Sequence, residues 1–379
     1  MSTQVHDGGE LGTPAAPDGG GRWLAPGVPI LAGTVAVVSI LTGALMAAVA
    51  VAGHAFTPWV SAGPLSPGLV GAAMLGVSPG LLLVGRATRW EEVRTLMLPT
   101  AVVLLGLLTV SLVNGGRLYL VHGGSIVLVL FSLGWVGVLA LLALGALICL
   151  LLQYLTPVTP VRERTVPIPG WAKPFLALLG SSWFGIGAGL LGVPGFWGAL
   201  LPWRVDRADA QALGVWALAL GVGVLGGLVE DDLARLRPAL LSLPGVAVVA
   251  GVLLGSRAGE VHWASGPGVS LIAMLAGLLA SGGIGYRLLS RRTTGPNAQA
   301  GEASPGGPAE PARPDGPVGS ARSNGPVESA RPDGPVESAR PNGPVESARP
   351  DGPVESARPN GPVGPARPGG PVGAPGGNG

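Results

Sequence analysis

The sequence predicts an all-α membrane protein: a bundle of about eight transmembrane helices, arranged as two parallel four-helix repeats and followed by a disordered C-terminal tail. Three observations carry this. Only 12% of the 379 residues are charged while 48% are hydrophobic, a charged share of about half that of a soluble globular chain and too small to coat a soluble surface. Nearly all the apolar residues fall within 28–289, and the last 83 residues hold almost none. A short proline-containing unit recurs through that final stretch. The expected organisation is therefore a disordered cytoplasmic N-terminus over 1–27, a helical bundle over 28–289 with repeats over 28–155 and 174–289, and a low-complexity tail over 297–379.

Residues 1–27 are rich in Gly, Pro and acids and lack a pattern that could fold. A hydrocarbon core about 30 Å thick takes roughly 20 apolar residues of helix, and any segment crossing it must satisfy its own backbone hydrogen bonds. Eight segments meet that condition: 28–53, 66–85, 95–113, 125–155, 174–201, 208–229, 238–255 and 268–289. The first, with an apolar run of about 26 residues, exceeds the roughly 7–15 of a signal-peptide core and reads as a retained helix.

Charge sets the expected orientation, because Lys and Arg near helix ends stay cytoplasmic. With the N-terminus inside, the inner segments hold twelve basic residues, among them Arg86, Arg89, Arg94, Lys173, Arg235 and Arg237, and the outer ones hold four, Arg117, Arg204, Arg207 and Arg257. Arg outnumbers Lys 22 to one among abundant Ala, Gly, Val and Pro, a composition associated with GC-rich bacterial genomes. The expected location is a bacterial plasma membrane, with both termini cytoplasmic.

Thr88-Arg89-Trp90-Glu91 reads as a capping box opening the third helix, with Glu91 and Glu92 at the positive end of its dipole. Glu230, Asp231 and Asp232 take the corresponding place before the seventh. These charges are expected to cap and anchor helix ends rather than to form an acidic site.

An offset of about 143 residues exposes a weak self-match. Ala55-Phe56-Thr57-Pro58-Trp59 falls on Ala199-Leu200-Leu201-Pro202-Trp203 as A-x-x-P-W, Gly71 on Gly214, Gly80 on Gly223 and Arg94 on Arg237, while Val121-His122 lies near Val261-His262 with a slip of three residues. Two four-helix units with the same orientation would be related by an axis along the membrane normal.

Gly187-Ala188-Gly189-Leu190-Leu191-Gly192 satisfies G-x-G-x-x-G, with Asp206 and Asp209 following, but a dinucleotide site needs a strand before the glycines and these lie in an apolar helix. Gly185 and Gly189 instead suggest a helix-packing step, as do Gly76 with Gly80 and Gly223 with Gly227. Pro79, Pro99, Pro194 and Pro244 fall inside helices and imply kinks. His54, His122 and His262 map to the outer side without the i+3 or i+4 partners of a metal site. Trp59, Trp203 and Trp263 on that side, and Trp90 and Trp171 on the other, read as aromatic belts.

The helix centres carry no charge, whereas ion-coupled machines keep ionisable groups there. Their polar groups are Ser39, Thr42, Ser78, Thr109, Ser132, Ser181, Ser182 and Ser242, all suited to helix–helix hydrogen bonds. No Ser-His-Asp set, carboxylate pair or P-loop occurs. Cys149, the only cysteine, excludes an intramolecular disulfide and a cysteine-based zinc or iron–sulfur site. A net charge of +2 with no basic–aromatic stretch argues against nucleic acid. No catalytic, cofactor-binding or metal-binding residue is assigned, and the chain is not expected to be an enzyme.

From Ala312 the tail repeats Ala-Arg-Pro-Asp/Asn-Gly-Pro-Val-Glu-Ser seven times, restarting at Ala321, Ala330, Ala339, Ala348, Ala357 and Ala366. Glycine every ninth residue is not the every-third spacing of collagen, and one Val per unit cannot offset the entropy of folding. Pro314-Asp315-Gly316-Pro317 and its copies present P-x-x-P, the shape of a polyproline ligand, beside the plainer reading as a spacer. Expected partners are the lipid bilayer and, through this tail, another membrane or cytoplasmic protein.

Trp90-Glu91-Glu92-Val93-Arg94, Leu213-Gly214-Val215-Trp216-Ala217-Leu218 and Leu233-Ala234-Arg235-Leu236-Arg237-Pro238 resemble segments of uncharacterised multi-pass membrane proteins of actinobacterial type, a resemblance that implies no activity or site. The sequence favours a non-catalytic membrane scaffold or accessory subunit, with a permease for a neutral or hydrophobic small solute as the alternative. A polar cavity between the halves would favour the permease, and a bundle packed solid with small residues the scaffold. The charge asymmetry gives a first test: reporter fusions after Leu65, Gly116, Asp206 and Gly259 read as external, and two or more cytoplasmic readings reject the topology.

Overall fold

A computed structural model describes residues 22–157 and 166–293; residues 1–21 and the tail over 297–379, with its repeats and P-x-x-P segments, lie outside the described residues. Among those described, eight helices are long and apolar enough to cross a membrane: α1 Gly27–Val51, α2 Leu65–Leu83, α3 Arg94–Val113, α4 Ile126–Leu155, α5 Ala172–Gly192, α6 Arg207–Glu230, α7 Arg237–Ser256 and α8 Gly266–Thr293. The chain is a multi-pass membrane protein. Its helices are apolar all round, and the outward faces show why: Leu141 on α4 is 73% exposed and Ile30 on α1 is 72%, exposure that suits lipid and not water.

Packing builds the bundle around α2 and α6, which touch each other. α1 packs on α2 and α5 on α6; α2 packs on α7 and α6 on α3; α3 packs on α4 and α7 on α8; α1 meets α4 and α5 meets α8. Glycines set the closest of these approaches. A Cβ on Gly43 would lie 2.7 Å from the Gly71 carbonyl oxygen, and one on Gly71 2.8 Å from that of Gly43. At α5 and α6, a Cβ on Gly187 would lie 2.8 Å from the Gly214 carbonyl oxygen, and one on Gly214 3.1 Å from that of Gly187. Without Cβ atoms the backbones come close enough for dispersion to hold them together in lipid. Gly76 likewise lies against the backbone of Gly245 and Val246.

The G-x-x-x-G step expected at Gly185 and Gly189 takes a different form. Gly185 faces open space and Gly189 faces the Trp197 ring, so the contact face of α5 runs through Gly180 and Gly187. Helix periodicity explains the shift, since residues seven apart share a face as residues four apart do.

The eight segments lie where the sequence placed them, with one break. The fifth, expected over 174–201, stops at Gly192, and Pro194–Ala199 forms a separate short helix. Pro194 removes an N–H and biases Val193 out of the helical region, so it starts a helix instead of kinking one. Pro79, Pro99 and Pro244 do sit inside helices.

Two further expectations change. α3 begins at Arg94 after a 3₁₀ turn over Trp90–Glu92, and no side chain caps it in the way the Thr88 box implied. The Glu91 carboxylate accepts the Arg22 N–H at 3.0 and 3.2 Å, while Glu92 reaches back to the Thr88 N–H at 3.4 Å. The aromatic belts are mostly core: Trp59, Trp90 and Trp203 are buried, whereas Trp171 is exposed. The chain just before α1 is tied down by the same device, because fully buried Gln153 on α4 accepts the Ala25 N–H at 2.8 Å and donates to the Trp23 carbonyl at 2.9 Å.

Substituting Gly187 by Leu places a branched side chain between α5 and α6 and should destabilise detergent-purified protein by at least about 1–3 kcal/mol. Gly185→Leu on the open face should stay within about 0.5 kcal/mol of the parent. Thermal unfolding of the two variants provides the comparison, and equal midpoints would remove the close-approach account.

Candidate functional site

The charged and amide side chains of the bundle gather at its two ends, and the space between is uncharged. At the end carrying Trp59, the buried Asp209 carboxyl on α6 accepts the Trp59 Nε1–H at 2.8 Å and the Ser61 hydroxyl. Trp203 Nε1–H donates to Ser66 Oγ on α2 at 2.9 Å. Each A-x-x-P-W tryptophan thus bonds to the first turns of the helix that follows the other one. Ser66 and Asp209 stand 143 residues apart, and the tryptophans 144. The prolines before them behave alike: Pro58 O accepts from Tyr119 N–H at 3.0 Å and Pro202 O from His262 N–H at 2.9 Å. Nearby, buried Asn114 donates to Gln211 Oε1 at 2.8 Å, and Arg117 lies 3.8 Å from Asp206.

At the opposite end, Glu230 is buried and paired with Arg94 of α3 and, at 3.1 Å, with Arg235. Asp231, held at φ +49° where α6 ends, bonds Lys173 Nζ at 2.8 Å. Asp232 pairs with Arg235 at 3.4 Å and accepts the Ala234 N–H at 3.0 Å. These acids join α3, α5 and the α6–α7 connection. Glu230 occupies the C-terminal turn of α6, where the helix dipole alone would disfavour it, so its arginines hold it there.

Two cavities lie between the ends. The larger, about 400 Å³, is bounded by α1, α2, α3 and α4 with α6 and α7 closing it. The smaller, about 320 Å³, lies among α2, α5, α6, α7 and α8 with the Pro194–Ala199 helix at its rim. No charged side chain lines either. They share an offset of 143 or 144 residues in their walls: Met74, Val77, Val103 and Leu107 line the first where Ala217, Leu220, Val246 and Ala250 line the second, and Ser39 and Thr42 stand where Trp183 and Ile186 do. On the fourth helices the offset becomes 140, with Phe131 and Trp135 answered by Leu271 and Leu275. That is the three-residue slip visible at His122 and His262. Leu130 and Val138 on the wall of the larger cavity are exposed, as is Leu200 on that of the smaller.

The residues singled out from sequence divide accordingly. Gly187 and Gly189 serve packing. Among the described residues, no three His, Cys, Asp or Glu side chains group to hold a metal, and His262 Nδ1 lies 3.0 Å from Pro202 O. Ser78 and Thr109 bond carbonyls of their own helices at 2.7 and 2.8 Å. Ser132 accepts the Leu120 N–H at 3.4 Å, and Ser39, Thr42 and Ser242 line the larger cavity. Trp216 and Asp209 went unrecognised as site residues. The signal for Asp209 was present, since the 143-residue offset sets it on Ser66.

No protein-family model, curated protein or solved structure matches the chain. Function must be argued from the geometry alone.

The Asp209 cluster yields a stability test. Asp209→Ala strands the buried Trp59 N–H and should cost about 1–3 kcal/mol, whereas Asp209→Asn keeps an acceptor for it and an amide toward Ser61, and should recover most of that loss. Thermal denaturation checks the order; equal losses would mean the indole bond contributes nothing.

Proposed function

We propose that this protein is a permease-type carrier for a neutral, hydrophobic small solute in a bacterial plasma membrane, with both termini cytoplasmic. The observation that carries this reading is the pair of uncharged cavities whose walls correspond at the 143-residue offset. Packing serves a scaffold best when it is solid, and residual space costs stability in proportion to its volume. Two cavities of 400 and 320 Å³, within the roughly 300–1,000 Å³ range of small-molecule sites, therefore favour a bound solute, and their mainly apolar walls, in place of the polar space expected of a permease from sequence, suit a hydrophobic one.

The same reading takes residues 28–155 and 174–289 as parallel repeats. Support comes from crossed contacts: a Cβ on Gly80 would meet Ser242 and Pro238 O, while one on Gly223 would meet Pro99 and Thr95 O. Gly80 and Gly223, Thr95 and Pro238, and Pro99 and Ser242 are all 143 apart. Reciprocal exchange of this kind is what a twofold axis along the membrane normal produces, and each cavity then serves as the other's counterpart. The scaffold reading keeps one observation in its favour, the glycine faces that lock α1 to α2 and α5 to α6.

Fluorene, an uncharged tricyclic hydrocarbon, is a suitable probe. A saturable rise in the thermal stability of the purified full chain is expected, approaching about 2.7 kcal/mol at 100 times Kd. Gly134→Trp, at a position with no neighbour within 4 Å of its Cβ and on the rim of the larger cavity, should remove most of that rise. Absence of any saturable shift would leave the scaffold as the better reading.

A further inference from the structure

We infer that the larger cavity recognises an oxygen acceptor, and that its solute is a neutral lipophile bearing a carbonyl group, held by Trp216. This rests on the carrier reading and adds the chemistry of the ligand. Buried polar groups in folded proteins are almost always hydrogen-bonded, and the exceptions call for an explanation. Five buried side-chain donor atoms among the described residues have no partner: Thr57 Oγ1, Thr95 Oγ1, Trp183 Nε1, Trp216 Nε1 and the Nε of Arg257, whose guanidinium otherwise pairs with Glu260. Three of the five line the cavities. Thr95 lines the larger, Trp183 the smaller, and Trp216 both.

Other tryptophans show what the fold does with an indole when it can. Trp59, Trp135 and Trp203 donate to Asp209, Ser111 and Ser66 at 2.8, 3.2 and 2.9 Å. Trp216 is 8% exposed and Thr95 5%, so neither is solvated from outside. Thr95 lies in the first turn of α3, with no helical carbonyl one turn back to accept its hydroxyl, unlike Thr100, which donates to Leu96 O at 2.8 Å. Trp216 has no such explanation: stranding a donor in a hydrocarbon-like wall is unfavourable, and a stranded indole N–H on an uncharged cavity is the imprint of a ligand that accepts a hydrogen bond there.

The ligand's remaining properties follow from the wall. No cation balances an anionic ligand and no carboxylate balances a cationic one, so the solute is neutral. Apart from the hydroxyls of Ser39, Thr42, Thr95, Thr100 and Ser242, the rest of the lining is aliphatic and aromatic, so the acceptor belongs to a mainly hydrocarbon molecule. Trp216 sits near the middle of α6, which spans Arg207–Glu230. That depth excludes the ester carbonyls of a phospholipid, which lie at the polar boundary of the bilayer, and selects a lipophile that dissolves within the hydrocarbon layer.

Fluorenone and fluorene test this directly, because they share one rigid skeleton and differ in having C=O or CH2 at the bridging carbon. Affinities of the full-length protein in detergent are measured by calorimetry, with concentrations expressed as mole fraction in the micelle. Fluorenone should bind at least about fivefold more tightly than fluorene, the worth of one net hydrogen bond. Trp216→Phe keeps an aromatic ring and removes the donor; it should bring the ratio close to one while fluorene affinity changes by less than about threefold. Trp216→Leu, also without a donor, should lower the ratio likewise and carries the test if Trp216→Phe does not fold. Equal binding of the two probes to the parent would overturn carbonyl recognition while leaving the carrier reading standing. A ratio that survives the substitution would overturn the assignment to Trp216. Failure of both probes to bind would overturn this inference and the carrier reading together.

Discussion

Everything in this bundle depends on how closely α1 can approach α2 and α5 can approach α6. In lipid there is no hydrophobic reward for bringing two apolar helices together, since the tails solvate Leu as well as another Leu does. Association must come from packing and from buried hydrogen bonds. The reciprocal glycine contacts of Gly43 with Gly71 and of Gly187 with Gly214 provide the first, with backbone against backbone. They fix two tight helix pairs, and α2 and α6 then meet each other and reach across to α7 and α3. The tryptophan bonds at one end and the Glu230 ion pairs at the other close the assembly. Both cavities lie between the pairs.

Polarity is distributed to suit that solvent. Asp209, Asn114 and Gln211 cluster at one end, and Glu230, Asp231, Asp232, Arg94 and Arg235 at the other. Each buried carboxyl there has a donor, as its desolvation demands. Arg94 with Glu230 is a bond between α3 and α6 and has no equivalent at the 143-residue offset, where Arg237 and Ala87 stand. The ends are therefore less alike than the middle. The hydroxyls deep in the helices mostly bond a carbonyl one turn back, as Ser78, Thr100 and Ser111 do, which satisfies them within their own helix, a recourse that an indole N–H such as that of Trp216 does not have.

The spans were legible because length and apolarity are one-dimensional properties. Expected and observed ends of α3, α4 and α7 differ by a residue or so, and the glycines around Gly187 lie in a helix as expected. What sequence could not supply was the direction in which a residue faces. Gly185 and Gly187 look equivalent in a string, yet one meets open space and the other the backbone of α6. Trp59 and Trp203 looked interfacial because they end helices, but their N–H groups are spoken for by Asp209 and Ser66 across the bundle, which draws the rings inside. The break at Pro194 was read as a kink since proline chemistry is the same in both cases, and only the Val193 backbone distinguishes them. A cavity is a property of six helices at once and has no local signature at all.

The differences between the cavities deserve the same physical reading as their likeness. On the two-repeat proposal, Trp183 takes the place of Ser39, Ile186 that of Thr42 and Ala217 that of Met74. The first two exchanges put bulk and hydrocarbon where the larger cavity keeps hydroxyls, which accounts for the smaller volume on that side. They also change the donors: the larger space retains Ser39, Thr42, Thr95, Thr100 and Ser242 along its walls, and the smaller has Trp183 and Ser270. Trp216, on the wall of both, has only Ala73 at the corresponding position, so the unpartnered indole belongs to one half alone, and the two halves differ most where their walls meet.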